Sequence, residues 1–436
     1  MSGMSGIGAS RRDLAVALVA TGDELVEGRH VDTNSSVIAR ALIDAGFEPR
    51  RFTVIGDDED ELMRTLVQLA KDHGAIVLTG GLGPTLDDVT RHAAARAAGV
   101  ELVQDEAVLA DLRAMFERRG RTFSEANARQ ALFPRGAHVL PNPNGTAAGF
   151  SLEVGGALLC ALPGPPREMR PMLVDHALPR ITARAAGLPS VERRLFHLFG
   201  LPESAFADRA GDWMARGANP LVGVTASGGR LSVSVRAEAT TRVDAQRICA
   251  ARSSEIRTRF AEWIFSEDEP DLAAVLGREL LARNVTVSFA ESCTGGLAAE
   301  RLTRTPGISA VFEIGFVTYA NRAKVELLGV DPALLVAHGA VSSPVAAAMA
   351  RGAAERSGAR LAASITGIAG PGGATPEKPV GLVHIGICAD GVVTTEERRF
   401  LDLGRDLVRD FATNTAFDLL RRALLTLPRD SSPRTR

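Results

Sequence analysis

Leu14-Ala15-Val16-Ala17-Leu18-Val19-Ala20 runs without a break into Thr21-Gly22-Asp23-Glu24-Leu25. Seven apolar residues ending at a Gly-Asp turn read as a buried β-strand entering a loop. The preceding Ser10-Arg11-Arg12-Asp13 has a faint look of a twin-arginine export signal. The apolar run is too short for that and no small-x-small cleavage site follows, so the strand reading holds. Working outward, helical spacing covers Ser35–Phe47 and a second apolar strand stands at Ala75–Leu78. Helices are expected at Val89–Ala98, Glu106–Arg119 and Ser124–Leu132, and another strand at Ala157–Leu162. Strand and helix in alternation predict a mostly parallel sheet covered on both faces.

The 436 residues predict about three domains at ~150 residues each. The first, residues 1–180, is the α/β unit just described. The second, 185–266, is a small α+β unit: Val222–Thr225 and Leu231–Glu238 form a hairpin and Arg242–Phe260 a helix. Ser266-Glu267-Asp268-Glu269-Pro270 is a charged linker. The third, 271–428, is again α/β, with strands at Thr286–Phe289, Phe316–Tyr319, Leu361–Ile365 and Leu382–Ile387. An amphipathic helix at Asp406–Leu425 closes it, and Arg429–Arg436 reads as a loose tail.

Charge removes two classes of function. Fifty Lys plus Arg face 52 Asp plus Glu, and neither half carries the basic excess that direct nucleic-acid binding needs. No uncharged apolar stretch reaches the ~18 residues of a membrane helix. Four scattered cysteines (Cys160, Cys249, Cys293, Cys388) speak against a disulfide scaffold or zinc cluster and fit a reducing cytoplasm. Of the 50 basic residues only three are Lys: Lys71, Lys324 and Lys378. A chain that uses Arg for nearly every positive charge has kept Lys where a releasable proton is useful, or by compositional drift. Two of those lysines and the only tyrosine, Tyr319, fall in the glycine-rich C-terminal third.

In the first domain, four loops stand at strand ends, where open α/β sheets bind ligands. They are Thr21–Leu25, Thr79-Gly80-Gly81-Leu82-Gly83-Pro84-Thr85 with Asp87-Asp88, Asn144-Gly145-Thr146, and Pro163-Gly164-Pro165-Pro166. Their glycines let backbone N–H groups approach a phosphate, and a helix opening near Asp87 adds its positive end. Carboxylates beside such a cradle make sense with a divalent cation between, so Asp23, Asp32, Asp87 and Asp88 are candidate ligands. The same residues are also ordinary turn and helix-cap chemistry.

The motifs TGDELVEG, Asp32-Thr33-Asn34, GGLGPTLDDVT, NPNGTAAG and LPGPPREM, in this order, resemble the N-terminal domain of the CinA (competence/damage-inducible) family. That domain is similar to the molybdopterin-binding fold, a three-layer α/β arrangement. The resemblance implies metal-dependent hydrolysis of the pyrophosphate in ADP-ribose, with an Mg- or Co-type ion. It also implies ligand contacts at Gly80, Gly81, Gly83, Thr85, Asn144, Thr146 and Gly164. The family's GTAPG is altered here at Ala148, which loses a rigid turn residue and no ligand group.

In the third domain, the strand Thr286–Phe289 enters Ala290-Glu291-Ser292-Cys293-Thr294-Gly295-Gly296 before an Ala/Leu-rich helix. A hydroxyl and a thiol at a strand-to-helix turn are placed as nucleophiles, with free N–H groups near them. Serine needs a base. His338 and His384 lack obvious orienting acids, which leaves Lys324, active if buried and neutral. Tyr319 would orient the amine or donate to the leaving group. Cys293 is intrinsically the better nucleophile, but no His or Lys adjoins it in sequence, so packing is its expected role.

ESCTGG, VTYANRAK with LLGV, GAVS, TGIAGPGG, EKPVG and GRDLVRDFA resemble the nicotinamide-nucleotide amidase domain found at the C-terminus of CinA proteins. Carried over, Ser292 is the nucleophile, Lys324 its base, Tyr319 and Thr366 supporting hydroxyls, and Arg405 a phosphate ligand. Thr294, Gly295, Gly296, Asn321, Gly367 and Gly370 would line the substrate. The amidase site needs no cofactor. Ala320 replaces a frequent Ser, so one substrate hydrogen bond is missing or supplied by water. The middle domain resembles the small linker domain of full-length CinA proteins and shows no chemical motif.

The leading expectation is a cytoplasmic, homodimeric enzyme acting on nicotinamide mononucleotide and ADP-ribose, with no direct nucleic-acid or membrane partner. Two alternatives stay open. One is a first domain that only holds a pterin or nucleotide. The other is a competence or DNA-damage factor acting through protein partners.

Overall fold

The computed structural model describes residues 11–185 and 187–428. Ser10 of the twin-arginine-like stretch and the expected tail Arg429–Arg436 lie outside the described residues. Contacts divide the chain into two compact units. One runs to Arg193 and includes Ala237–Cys249; the other is Arg194–Arg236 with the chain from Ala250 onward.

In the first unit the strands are β1 (Ala15–Thr21), β2 (Glu48–Ile55), β3 (Ala75–Thr79), β4 (Leu102–Gln104), β5 (Leu132–Pro134), β6 (His138–Leu140), β7 (Gly149–Val154) and β8 (Ala157–Leu162). All of β1 is buried. Its side chains alternate between two apolar layers. Val16 and Leu18 pack with Ile38, Leu42 and Met169 on one face, and Ala17 and Val19 with Leu62, Leu66 and Ile76 on the other. Burial on both faces is why the run is apolar throughout instead of alternating. The helix Asn34–Asp44 supplies Ile38 and Leu42, and Glu59–Asp72 supplies Leu62 and Leu66, its start capped by Asp58 accepting from the Glu61 N–H.

The six-stranded order is β2-β1-β3-β8-β7-β6. β2, β1, β3 and β8 run parallel, while β7 and β6 turn antiparallel. The sheet is therefore mixed at one edge, and the loops leaving β1, β3 and β8 share one rim. The helix expected over Ser124–Leu132 is shorter, Glu125–Ala128 followed by a 3₁₀ turn. Leu132 instead opens β5, which pairs with β4.

The second unit holds one sheet whole and most of another. β9 (Ser190–Phe199), β10 (Leu221–Ser227), β11 (Arg230–Ala239) and β12 (Ile264–Ser266) lie in the order β10-β11-β9-β12. β10 and β11 form the expected hairpin, with Ser227 opposite Arg230 and Leu231, Val233 and Val235 buried in alternation. The other sheet contains β13 (Val287–Glu291), β14 (Phe316–Val317), β15 (Leu361–Gly367), β16 (Leu382–Ala389) and β17 (Val392–Arg399). Its order is β14-β13-β15-β16-β17, with β14, β13 and β15 parallel and the last two antiparallel. Helices Leu272–Arg283 and Arg405–Thr426 bury Leu276, Phe417 and Leu420 against Phe289 on one face. Helix Ser343–Ser357 buries Val345 and Met349 against Ala290 and Ala362 on the other. Among the described residues no helix is long and apolar enough to cross a membrane.

Candidate functional site

β13 ends at Glu291, whose buried carboxylate accepts from the N–H groups of Gly296, Ala298 and Ala299. This ties the strand end to the start of helix Leu297–Thr303 and closes the turn Ser292–Gly296 between them. Gly295 and Gly296 hold φ of +59° and +97°, the left-handed region that a side chain disfavours. Ser292 N–H donates to the Ile365 carbonyl at 2.9 Å, which joins the turn to β15. The N–H groups of Cys293 and Thr294 have no backbone acceptor among the described residues.

Lys324 stands on the helix Asn321–Leu328, 32 residues beyond Ser292, and is 1% exposed. Its Nζ lies 3.2 Å from Ser292 Oγ, 2.8 Å from the Thr318 carbonyl and 3.3 Å from the Tyr319 carbonyl. Burial pulls the amine below the ordinary lysine range. A neutral amine has two N–H bonds and one lone pair. With both N–H bonds on the carbonyls, the lone pair faces the serine hydroxyl. The strand expected over Phe316–Tyr319 stops at Val317, which frees those two carbonyls for the lysine.

Tyr319 acts on Lys324 through its backbone. Its side chain is 60% exposed, and the phenol oxygen accepts from Arg405 Nη2 at 2.7 Å, so the expectation that the phenol orients the amine is corrected. Arg405 Nη1 donates to the Gly370 carbonyl at 2.8 Å. Thr366 is buried with its hydroxyl donating to the Ala340 carbonyl, which gives it a partner in the fold. Thr294 is fully buried and its hydroxyl has no partner among the described residues, while Asn321 is exposed at its helix start. Gly367 and Gly370 pack closely: a Cβ there would stand 2.6 and 2.8 Å from Val383 and Val380.

Arg409, overlooked in the sequence, donates from Nη2 to the Thr294 carbonyl at 2.8 Å. Burial pushes the Cys293 thiol up to about 12, so it is a protonated packing residue at neutral pH. His384 does have neighbours the sequence hid: Ser343 Oγ at 3.0 Å from Nδ1 and Glu397 at 3.9 Å from Nε2. The acid is beyond hydrogen-bond reach, and burial holds the imidazole below its ordinary range.

In the first unit the four loops line one cleft of about 620 Å³. Gly80, Gly81, Gly83, Thr146 and Gly164 face it, with Asp32, Asp87 and Asp88. Gly80 holds φ of +102° and any Cβ there would collide with the Thr21 carbonyl. Thr85 and Asn144 are not lining residues. Thr85 donates from N–H and hydroxyl to Asp88, and Asn144 donates to the Arg167 carbonyl.

Three of the four aspartates expected as candidate metal ligands take backbone N–H groups. Asp88 accepts from the N–H groups of Gly83 (2.7 Å) and Thr85 (2.8 Å), Asp32 accepts from Ser35 N–H, and Asp23 accepts from Asp57 N–H. Asp32 and Asp88 close their own turns, the ordinary work of aspartate at a loop, and Asp23 ties the loop after β1 to the loop after β2. Among the described residues no three His, Cys, Asp or Glu side chains stand where they could hold a metal. Six carboxylates line the cleft (Glu24, Asp32, Asp57, Asp87, Asp88, Glu168) with no Lys or Arg among the lining residues. Sequence reasoning passed over Asp57 and Glu168. Burial pushes the Asp57 carboxyl up, against the lowering pull of the Asp23 N–H and the Thr21 hydroxyl. Behind the cleft Arg91 is buried, which draws its guanidinium down to about 10, with the Asp88 charge acting the other way.

Three family profiles match: the probable molybdopterin binding domain over residues 17–183, the damage-inducible protein CinA KH domain over 193–266, and the CinA C-terminal domain over 269–424. A protein of Symbiobacterium thermophilum assigned to the competence-damage inducible proteins is 42% identical over 94% of this chain and 98% of its own. A CinA-like protein of Geobacter sulfurreducens is 42% identical over 95% of this chain and all of its own. A solved structure of a competence/damage inducible protein from Agrobacterium tumefaciens is 46% identical, covering 35% of this chain and 96% of that one, with a TM-score of 0.34. With a molybdopterin-binding-like first domain, a KH-like middle domain and a CinA C-terminal domain, the chain belongs to the CinA (competence/damage-inducible) family.

Proposed function

We propose that the C-terminal domain hydrolyses the carboxamide of nicotinamide mononucleotide, giving nicotinate mononucleotide and ammonia. The observation that carries this reading is the buried Lys324 amine 3.2 Å from Ser292 Oγ, with two carbonyls taking its N–H bonds. Lys324 takes the Ser292 proton as Oγ bonds to the carboxamide carbon. The tetrahedral oxyanion meets the free N–H groups of the glycine turn. As the C–N bond breaks, the Lys324 ammonium returns the proton to the departing nitrogen and ammonia leaves. Water, deprotonated by the same amine, then adds to the acyl-serine; the serine oxygen leaves with the proton, and nicotinate mononucleotide is released. Arg405, held between Gly370 and Tyr319, supplies the charge for the phosphate. Ammonia release from nicotinamide mononucleotide by the purified chain, lost in Ser292→Ala, tests the reading. No release by the wild-type protein would overturn it.

A second reading concerns the N-terminal cleft, favoured by its carboxylate lining around a glycine cradle. We propose that it takes a nucleotide pyrophosphate such as ADP-ribose as its cation complex and cleaves it. Six carboxylates with no lining Lys or Arg repel a bare pyrophosphate, and a cation of the Mg type is held by one or two carboxylates together with substrate phosphates. Asp87, exposed at the mouth, is the carboxylate best placed for that share. Cleavage of ADP-ribose with and without added divalent metal tests it, and metal-independent turnover would contradict it.

A further inference from the structure

The tip of the β10–β11 hairpin, Ser227-Gly228-Gly229-Arg230, rests on the helix Arg405–Thr426. The Gly228 carbonyl accepts from the Asn414 side-chain amide at 3.1 Å. A Cβ on Gly228 would stand 2.7 Å from an Asp410 carboxylate oxygen, and one on Gly229 would stand 3.0 Å from the Phe411 ring. Both glycines hold positive φ, +56° and +76°. A side chain at either position would press on the helix and strain the turn. The seat is backed by core, since Phe199 of β9 and Phe265 of β12 join the apolar cluster that contains Phe417.

The residues under the tip also serve the nucleophile turn. Arg301, on the helix that begins just after Gly296, pairs with Asp410 and donates to Asn414 Oδ1 at 3.3 Å. Arg409, beside Asp410, holds the Thr294 carbonyl, and Arg405 one turn earlier holds Gly370 and Tyr319. One helix thus carries the hairpin seat and both arginines that reach the loops of the Ser292 site.

We propose that the hairpin tip of the middle domain is a positioning element of the amidase site. Seated on Asp410, Phe411 and Asn414, it fixes the first turns of the helix from which Arg405 and Arg409 reach the substrate loops. The inference rests on the amidase reading of Ser292. Lys324 and Ser292 stand on other elements, so the tip governs how substrate is held and leaves proton transfer alone.

The test uses the full chain with Gly229→Val, which pushes the tip off Phe411, and the milder Gly228→Ala, which displaces Asp410. Ammonia release is measured over a range of nicotinamide mononucleotide concentrations, with thermal melts to confirm folding. KM should rise about 5- to 20-fold, in the range of ordinary site-to-site coupling, with kcat and its pH profile nearly unchanged. Hydrogen exchange across the segment 293–302, read in the same variants, should quicken and supplies a readout that needs no substrate. If the wild-type chain releases no ammonia, the amidase reading fails while exchange still decides the coupling. Folded variants with wild-type KM and unchanged exchange would overturn the proposal. So would a fall in kcat at constant KM, the mark of a lower active fraction. Should Gly229→Val not fold, Gly228→Ala carries both readouts.

Discussion

At the C-terminal site two side chains 32 residues apart, Ser292 and Lys324, meet at 3.2 Å in a buried setting. At the N-terminal cleft six carboxylates line the walls, and among them Asp32 and Asp88 already take backbone N–H groups. The first sets a buried amine against a hydroxyl, the contact on which the proposed amidase reading rests. The second is a scaffold of turns whose carboxylates shape loops first and face a ligand afterwards. A lysine buried against a serine serves no structural need that a methionine would not meet more cheaply, because desolvating an amine is costly. An aspartate at a glycine turn has such a need, so its presence says far less about chemistry.

The comparison breaks most visibly if the two sites are not independent. Ser292→Ala should lower ammonia release by ~10⁴-fold or more and leave ADP-ribose cleavage untouched. If both activities fall together in a folded protein, the division between them is wrong. Within the cleft, Asp87 and Asp88 should separate. Asp88→Asn removes charge-assisted hydrogen bonds that hold the glycine loop, so ADP-ribose should bind about 10-fold or more weakly at every metal concentration. Asp87→Asn should instead shift the metal concentration needed for half-maximal rate. Identical titration curves for the two variants would return both residues to one role.

The pH dependence sharpens the C-terminal half. Lys324 works only as the neutral amine, and burial lowers its pKa, so kcat/KM should climb as pH rises through that lowered value and then level off. The midpoint should lie below the ordinary lysine value of about 10.4. A midpoint at or above it would mean that the amine is not desolvated in the working enzyme. The smallest effect belongs to Tyr319→Phe, which removes the phenol from Arg405 but keeps the backbone carbonyl on Lys324. KM should rise about 2- to 10-fold with kcat unchanged, and a collapse in kcat would restore a catalytic role to the phenol.

Legibility in the sequence followed unbroken or regularly alternating apolar runs; β7, buried but carrying Ser151 and Glu153, went unread. β1 and β8, apolar on both faces, could be read almost to the residue, and so could the alternating β11. The edge strands β2 and β17 went unread because residues such as Arg50, Arg51, Glu397 and Arg398 face solvent and the strands carry no apolar period. The pairing of Ser292 with Lys324 was legible because Lys is scarce in an Arg-rich chain, so its position carries information. Tyr319 was misread in detail, since nothing in a sequence says whether a residue works through its side chain or its carbonyl. Arg409 and the Gly228-Gly229 seat were invisible for another reason: each gains meaning only when residues some 115 to 186 positions apart meet.

The central claim is that Lys324 is a neutral general base for Ser292, and Lys324→Arg tests it most directly. Arginine keeps the positive charge and cannot release its proton, so turnover of nicotinamide mononucleotide should fall by ~10²–10⁴-fold, nearly as far as in Lys324→Ala. Substrate binding should suffer less in the Arg variant than in the Ala variant. A Lys324→Arg protein that releases ammonia near the wild-type rate would make Lys324 an electrostatic anchor and contradict the dyad.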